Sequence, residues 1–397
     1  MTPAARRIAL AVFALALVLR GGWVLAQWAR DGAALTYDDE RLHWQLATHL
    51  VRDGALVSDD GRFAARLPLY PLFVAGGALL GETGVLVVRL MQALVGALTA
   101  ALAAELAGLA LDRRAAVLAG LLVALDPFAI FFSNLLLNET LFAALLVGLA
   151  LASWHELRIA GRRPGAALLA AGALAGAAVL TRPEALLLVA LQTALLAAAS
   201  RGRRDGALRA GVLALAVAAP LGAFGLRNAH VLGGFAPLGA NGGVTLYDGQ
   251  GPQADGRSDQ AFLQHLPQLD GLGELERDRA LRSLALAEMA ADPWRVTRLA
   301  GAKLARTWSP WPNVADYRGG VAGAVGALYT LCVVAAALVG AWRLRARRVL
   351  LVNLLLPAVA TTLTCCIFIG SVRYRVPAMP LLAVVAAGAV PYRRPSL

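Results

Sequence analysis

The residues of this chain best suited to chemistry are acids and arginines at the edges of apolar blocks. Tyr37-Asp38-Asp39-Glu40 opens a segment that runs to Gly54. One carboxylate here, Asp39 or Asp38, is a candidate general base, able to take a proton from a hydroxyl. Adjacent acids are not separable by spacing. With Glu40, both also suit a plainer role as cap and favourable charge at the positive end of a helix. Glu139 follows the turn 133–138 at the head of another apolar block, where a carboxylate is costly unless wetted or paired. It is a second acidic site, placed to contact an acceptor or to partner the base. Arg66, Arg182, Arg373 and Arg375 are the candidate cations. A guanidinium fork matches a phosphate with two parallel hydrogen bonds, which makes these four candidates for a phosphate ligand. Arg182 equally suits snorkelling or a pair with Glu184.

The elements that must position these residues are membrane spans. Hydrophobic residues make up 59% of the 397 positions and charged residues 16%, with a mean hydropathy of +0.64. A soluble domain needs roughly a quarter charged residues to clothe its surface. The expected fold is therefore an all-α polytopic membrane protein, a single domain over 1–397 with about ten transmembrane helices. Spans of about 20 apolar residues are expected near 7–27, 85–111, 115–133, 138–155, 165–181, 184–200, 207–226, 320–341, 349–370 and 376–392. Arginines alternate between them: Arg6-Arg7, Arg113-Arg114, Arg158/Arg162/Arg163, Arg201/Arg203/Arg204/Arg209, Arg343/Arg345/Arg347/Arg348 and Arg393-Arg394. These hold 17 of the 37 basic residues and stand at every second connection. Short Arg-rich loops stay in the cytoplasm. Both termini are thus expected inside, with outer loops at 28–84 and 228–319 and C-terminal transmembrane helices over 320–397. Arg6-Arg7 and the apolar run from Ile8 to Leu19 resemble a signal peptide, and an uncleaved first span is expected instead.

Within the first outer loop, Leu42, Leu46 and Leu50 at four-residue spacing predict an amphipathic helix over 37–54, capped by Asp38 or Asp39 and ended by Gly54. It is expected to lie flat on the membrane. The run from Arg66-Leu67-Pro68-Leu69-Tyr70-Pro71 to Leu80 is too short to span, so it is expected to dip into the interface. In the long outer loop, glycines between Gly233 and Gly243 predict turns. Helices are expected from Asp278 to Ala290 and again from Asp292-Pro293, the second carrying Trp294, Arg295, Arg298, Lys303, Arg306 and Trp308 against anionic membrane lipids.

Several function classes are excluded. The net charge of +12 is spread in short clusters rather than gathered on one face, so nucleic acid is not an expected partner. Cys332, Cys365 and Cys366 lie in apolar blocks and suit small buried hydrophobes. His43, His49, His155, His230 and His265 show no ligand spacing, so no metal is predicted. No other cofactor is predicted, and no nucleotide-phosphate loop is present.

Taken in order, these segments resemble a family. The chain is similar to GT-C glycosyltransferases of the protein O-mannosyltransferase and lipid A aminoarabinose transferase group, in its bacterial lipopolysaccharide-sugar branch. The resemblance lies in Asp39-Glu40 with Ala47 and Gly54, the Pro68-Leu69-Tyr70-Pro71 element, and Ser133-Asn134 to Glu139. It continues in Thr181-Arg182-Pro183, Arg227-Asn228, Gly242-Gly243, Tyr247, and Arg373-Tyr374-Arg375-Val376-Pro377. It covers about 36–380, and His43 stands where the family carries a tyrosine.

The resemblance implies transfer of a sugar from a polyprenyl-phosphate donor to a lipid or glycan acceptor, with inversion, on the periplasmic face of the bacterial inner membrane. It implies Asp39 as base, a phosphate held by the arginines, and Tyr70, His43 and Tyr374 beside the substrate. The alternative is a transporter or flippase of a lipid-linked sugar. Such a protein would place its ionisable groups at the bilayer midplane.

Overall fold

The structure is a computed structural model that describes residues 3–158, 165–200 and 202–392. Arg162, Arg163, Arg201, Arg393 and Arg394, counted above among the loop arginines, lie outside the described residues. The helices are α1 (Pro3–Asp31), α2 (Asp38–Asp53), α3 (Leu69–Ala78), α4 (Glu82–Ala110), α5 (Arg113–Ala124), α6 (Pro127–Phe132), α7 (Glu139–Arg158), α8 (Ala166–Thr181), α9 (Ala185–Ala198), α10 (Arg203–Leu232), α11 (Gly242–Gln250), α12 (Glu274–Ala291), α13 (Pro293–Thr307), α14 (Gly320–Leu344), α15 (Arg348–Ile367), α16 (Val372–Arg375) and α17 (Met379–Ala387). No strand occurs among the described residues.

Among the described residues, six helices are long and apolar enough to cross a membrane: α1, α4, α7, α10, α14 and α15. The other four expected spans are shorter helices. α8 and α9 have 16 and 14 residues. The expected span 115–133 is broken in two, because Asp126-Pro127 ends α5 and restarts the chain as α6 with Asp126 as its N-cap. The span expected at 376–392 opens as a 3₁₀ turn, Val376–Ala378, before α17. Pro377 and Pro380 remove donors that a continuous helix would need there.

Large apolar side chains such as Val18, Leu169, Leu215, Leu328 and Leu338 stand exposed on the flanks of these helices. On a protein in water they would be a liability; in hydrocarbon they face a matching solvent. The buried seams run on small residues instead. Ala97, Ala100, Ala103, Ala104 and Ala107 of α4 are buried against α1, α5 and α17. A Cβ on Gly340 would stand 1.9 Å from the Val385 carbonyl oxygen, so α14 and α17 touch backbone to backbone. That close approach is how helices gain dispersion energy where lipid removes the hydrophobic drive.

Contacts define two ends of the bundle. At one, Arg347 donates to the Ala110 carbonyl at 2.5 Å, Arg209 pairs with Glu156 at 3.0 Å, and Arg343 donates to the Ala389 carbonyl. Arg209 is therefore a buried partner within α10 rather than a free loop charge. At the other end α2, α3, the turn 133–138, the α8–α9 connection, the segment 233–319 and α16 come together.

α2 differs from expectation in two ways. Its N-cap is Tyr37, and Asp38, Asp39 and Glu40 form its first turn; Gly54 at φ 67° ends it as expected. Its apolar face packs on protein rather than lipid, with Leu42 and Leu46 against Leu56, Leu67 and Phe224, and Ala47 against Tyr70 and Val74. Arg227 of α10 holds the rest of this loop by donating to the Phe63 and Leu56 carbonyls. Glu274 accepts from the Phe63 and Ala64 amides and ties the loop to α12.

Candidate active site

Asp39 leaves the first turn of α2 toward the bundle and is held from two directions. Arg66 donates to its Oδ1 at 2.6 Å and Arg373 to its Oδ2 at 2.5 Å. Arg373 also donates through Nε to Glu139, which begins α7 and is wholly buried. Arg182 lies 3.8 Å from the same Glu139 oxygen and 2.8 Å from Glu184. Its guanidinium stands over the rings of Tyr374 and Phe142, at 5.1 and 5.4 Å. Five separate chain segments thus converge on one ionic cluster: Asp39, Glu139 and Glu184 against Arg66, Arg182 and Arg373. The formal charges cancel.

Burial alone would raise the Asp39 carboxyl, but Arg66 and Arg373 outweigh it and hold the group well below the usual carboxylate range. Burial would likewise disfavour the Arg373 cation, and Glu139 and Asp39 reverse that, so it stays charged. His43, one turn along α2 and buried, is pushed down to about 3 by burial and then by Arg66, which leaves it neutral. Its ring meets Tyr70 edge-on at 4.6 Å. Tyr70 donates to Gln92 of α4 at 3.0 Å, and Gln92 in turn donates to the Leu135 carbonyl at 2.6 Å. Burial pushes the Tyr374 phenol up to about 12.

Glu40 has a different task. Its Oε2 accepts from the Thr36 and Tyr37 amides and its Oε1 from the Leu136 amide at 2.8 Å, so both oxygens are occupied by backbone. Asp38 points away from the cluster, almost fully exposed and paired with Arg41. Arg375 also stands outside it. Buried, it donates to the Thr307 and Ser309 carbonyls and to Thr330 Oγ1, and lies over Phe128. Its hydrogen-bond partners are two carbonyls and a hydroxyl around the end of α13 and α14, none of them in the cluster.

Among the described residues, the buried atoms beside the cluster that lack a protein partner include Glu139 Oε2, Arg182 Nη1 and His43 Nδ1. Buried groups are rarely left this way. No group of three or more metal-ligating side chains occurs among the described residues.

Two contributors were missed at the level of sequence. Gln92 lies inside an apolar span, and only its spacing one turn from Arg89, which donates to the Gly32 and Ala34 carbonyls, signals a polar stripe on α4. Arg20 lies midway along α1, buried, and donates to the Val123 and Ala124 carbonyls freed where α5 ends. Its partners are backbone carbonyls, so no acidic residue at helical spacing signals it in the sequence.

The chain matches the family described as dolichyl-phosphate-mannose-protein mannosyltransferase over residues 65–224. It is similar in structure to the oligosaccharyltransferase AglB from Archaeoglobus fulgidus, solved in complex with an inhibitory peptide and a dolichol-phosphate. That match has a TM-score of 0.60 at 17% identity and covers 96% of this chain and 50% of that one. The apo form of the same oligosaccharyltransferase matches at a TM-score of 0.58, 17% identity, and 95% and 50% coverage. ArnT from Cupriavidus metallidurans in the apo state matches at a TM-score of 0.43, 17% identity, and 97% and 78% coverage. No curated protein matches by sequence. The fold is thereby the GT-C glycosyltransferase fold expected from the sequence, and the chain spans about half the length of the archaeal enzyme it matches.

Proposed function

We propose that this chain is a membrane glycosyltransferase that moves a sugar from a polyprenyl-phosphate donor to a hydroxyl-bearing or phosphate-bearing lipid or glycan acceptor. The site lies on the outer, periplasmic face of the bacterial inner membrane, with both termini in the cytoplasm. The observation that carries the reading is Asp39, ionised and gripped by arginines from two different loops, beside buried polar atoms that lack partners.

In a direct displacement the acceptor oxygen forms a bond to the anomeric carbon as the bond from that carbon to the phosphate oxygen breaks, inverting the centre. For a hydroxyl acceptor, the proton passes to Asp39 and the polyprenyl phosphate leaves with the electron pair. A carboxylate held this low is a weak base toward a neutral alcohol. As the new bond forms, however, the acceptor oxygen becomes oxonium-like and its proton strongly acidic, so a weak base suffices. Arg66, Arg182 and Arg373 would stabilise the leaving phosphate by exchanging part of their carboxylate contacts for it. Glu139 Oε2, which lacks a protein partner, would accept from the acceptor, with His43, Tyr70 and Tyr374 beside the substrate.

The test is transfer of labelled sugar from a polyprenyl-phosphate donor by membranes carrying wild type or Asp39→Asn. Loss of general-base action predicts a fall in kcat of about 10²–10⁴. Full turnover in Asp39→Asn would remove Asp39 as the base. If the purified protein moves the lipid-linked sugar across vesicles and never transfers it, the flippase reading replaces this one.

A further inference from the structure

Two buried ionisable residues that the proposed reaction does not use, Arg20 of α1 and Asp126 between α5 and α6, lie within expected spans. Such groups are costly in a membrane and mark working positions. Together they account for the break at Asp126-Pro127 atom by atom. In a continuous helix the Val123 carbonyl would accept from residue 127, but Pro127 has no N–H. The Ala124 carbonyl would accept from Phe128, whose amide bonds Asp126 Oδ1 instead at 2.9 Å. Arg20 donates to these same two carbonyls, at 2.9 Å to Val123 and 3.1 Å to Ala124. Asp126 Oδ1 also takes the Ala129 amide at 3.1 Å, and Tyr329 of α14 donates to the Leu122 carbonyl at 2.9 Å. On α4, Gly96 makes room for the arginine: a Cβ there would stand 2.7 Å from Arg20 Nε. Asp126 is extended, with ψ 111°, so α6 does not continue the line of α5. Carbonyls left open away from water are costly, so the break and the arginine need each other.

The break delivers α6 and the turn that follows it. Phe128 lies under the Arg375 guanidinium at 5.2 Å, and Arg375 is two residues from Arg373 on α16. Phe131 meets Tyr317 edge-on at 5.2 Å. The turn 133–138 offers the Leu135 carbonyl to Gln92 and the Leu136 amide to Glu40, and then opens α7 at Glu139. Both partners of the Arg373–Glu139 contact thus rest on α6, Glu139 through the turn and Arg373 through Arg375. A straight helix through 127 would satisfy its own carbonyls and carry the turn along the axis of α5 instead.

We propose that Arg20 is a positioning residue. By holding the end of α5 open at Asp126-Pro127, it sets where α6 places the turn 133–138 and α16, and with them the Glu139–Arg373 contact. Its effect on sugar transfer rests on the glycosyltransferase reading, and its effect on the turn does not. Full-length Arg20→Met, Arg20→Lys and the double variant Arg20→Met/Pro127→Ala are compared with wild type in nanodiscs by hydrogen exchange. The double variant returns an N–H that can close the helix onto the Val123 carbonyl, so it repairs a merely stabilising role. Exchange over 133–138 and 371–376 is expected to be about tenfold faster in Arg20→Met and to stay fast in the double variant. Exchange over 203–217 of α10 stays as in wild type. Arg20→Lys, which keeps the charge and reaches one carbonyl, falls between. With a labelled polyprenyl-phosphate sugar, kcat falls about 10²-fold in Arg20→Met and in the double variant, as a group displaced by about an ångström would give, with KM little changed. Unchanged exchange in Arg20→Met, equal loosening over 203–217, or wild-type kcat in that variant overturns the proposal. So does a double variant that regains slow exchange, which would make Arg20 a stabilising contact only. Should Arg20→Met not accumulate, Arg20→Lys decides on the same readouts. If wild type itself transfers no sugar while the exchange changes are as expected, the glycosyltransferase reading falls and the positioning role stands.

Discussion

Asp39 and Arg373 make the sharpest demands on chemistry. The folded Asp39 carboxyl lies below its unfolded value, so its ionised form is fully present above the unfolded pKa and is lost only as pH falls through the folded one. Transfer should therefore show no acid limb from Asp39 between about pH 5 and 7, because an ordinary carboxylate titrates near 4 and this one lower. A rate profile that falls with a midpoint near pH 5 would mean that the arginines are not in place during turnover. Arg373 bridges Asp39 and Glu139 through different faces of one planar fork. Lysine keeps the charge but offers a single point, so Arg373→Lys should lower kcat by roughly 10–100-fold with a smaller effect on KM. A KM effect alone would move Arg373 from positioning to binding.

At the scale of elements, α2 is held by Glu40 rather than by a lipid surface. Its carboxylate serves two amides of its own N-terminus and the Leu136 amide from the turn before α7. Glu40→Ala leaves these donors unpaired in a buried setting and should cost about 3 kcal/mol or more. A thermal melt in detergent reads it, and an unchanged melting temperature would show that water replaces the carboxylate. Much of this element was legible beforehand: leucines four apart and Gly54 announced the helix and its end. What was not legible was the division of labour among three consecutive acids. Successive residues on a helix point about 100° apart, so Asp38 faces solvent, Asp39 the arginines and Glu40 the backbone. Which one faces inward depends on where Tyr37 starts the helix, and adjacent acids are equally good cap candidates. The break at Asp126-Pro127 was likewise written in the proline, but an apolar run on both sides hid it inside one expected span.

Over the whole molecule, the alternation of arginine clusters foretold which residues share an end. Asp39, Glu139, Arg182 and Arg373 do meet there, although Arg375, equally well placed by that rule, turns to a clasp around Thr307, Ser309 and Thr330. Sidedness follows from residue order along the chain, whereas the direction of a side chain follows from packing, which charge counting does not sense. The expected orientation is open to a direct measurement. A single introduced cysteine at Ala254 should react with a membrane-impermeant maleimide added from outside, and one at Gly202 should not. Cys332, Cys365 and Cys366 are replaced beforehand. The reverse pattern would place the cluster in the cytoplasm.

The contact between Asp39 and Arg373 joins residues 334 positions apart in the chain. During synthesis the first loop emerges and α2 can fold while α16 is still unmade. Asp39 then has Arg66 as its partner but neither Arg373 nor the Glu139 link that Arg373 supplies. The ionic cluster is thus half-assembled at first, and a segment made more than 300 residues later carries the part that completes it. Under the proposed function, a chain released before residue 373 lacks that clamp and should transfer no sugar, so the order of synthesis would set when the site becomes competent.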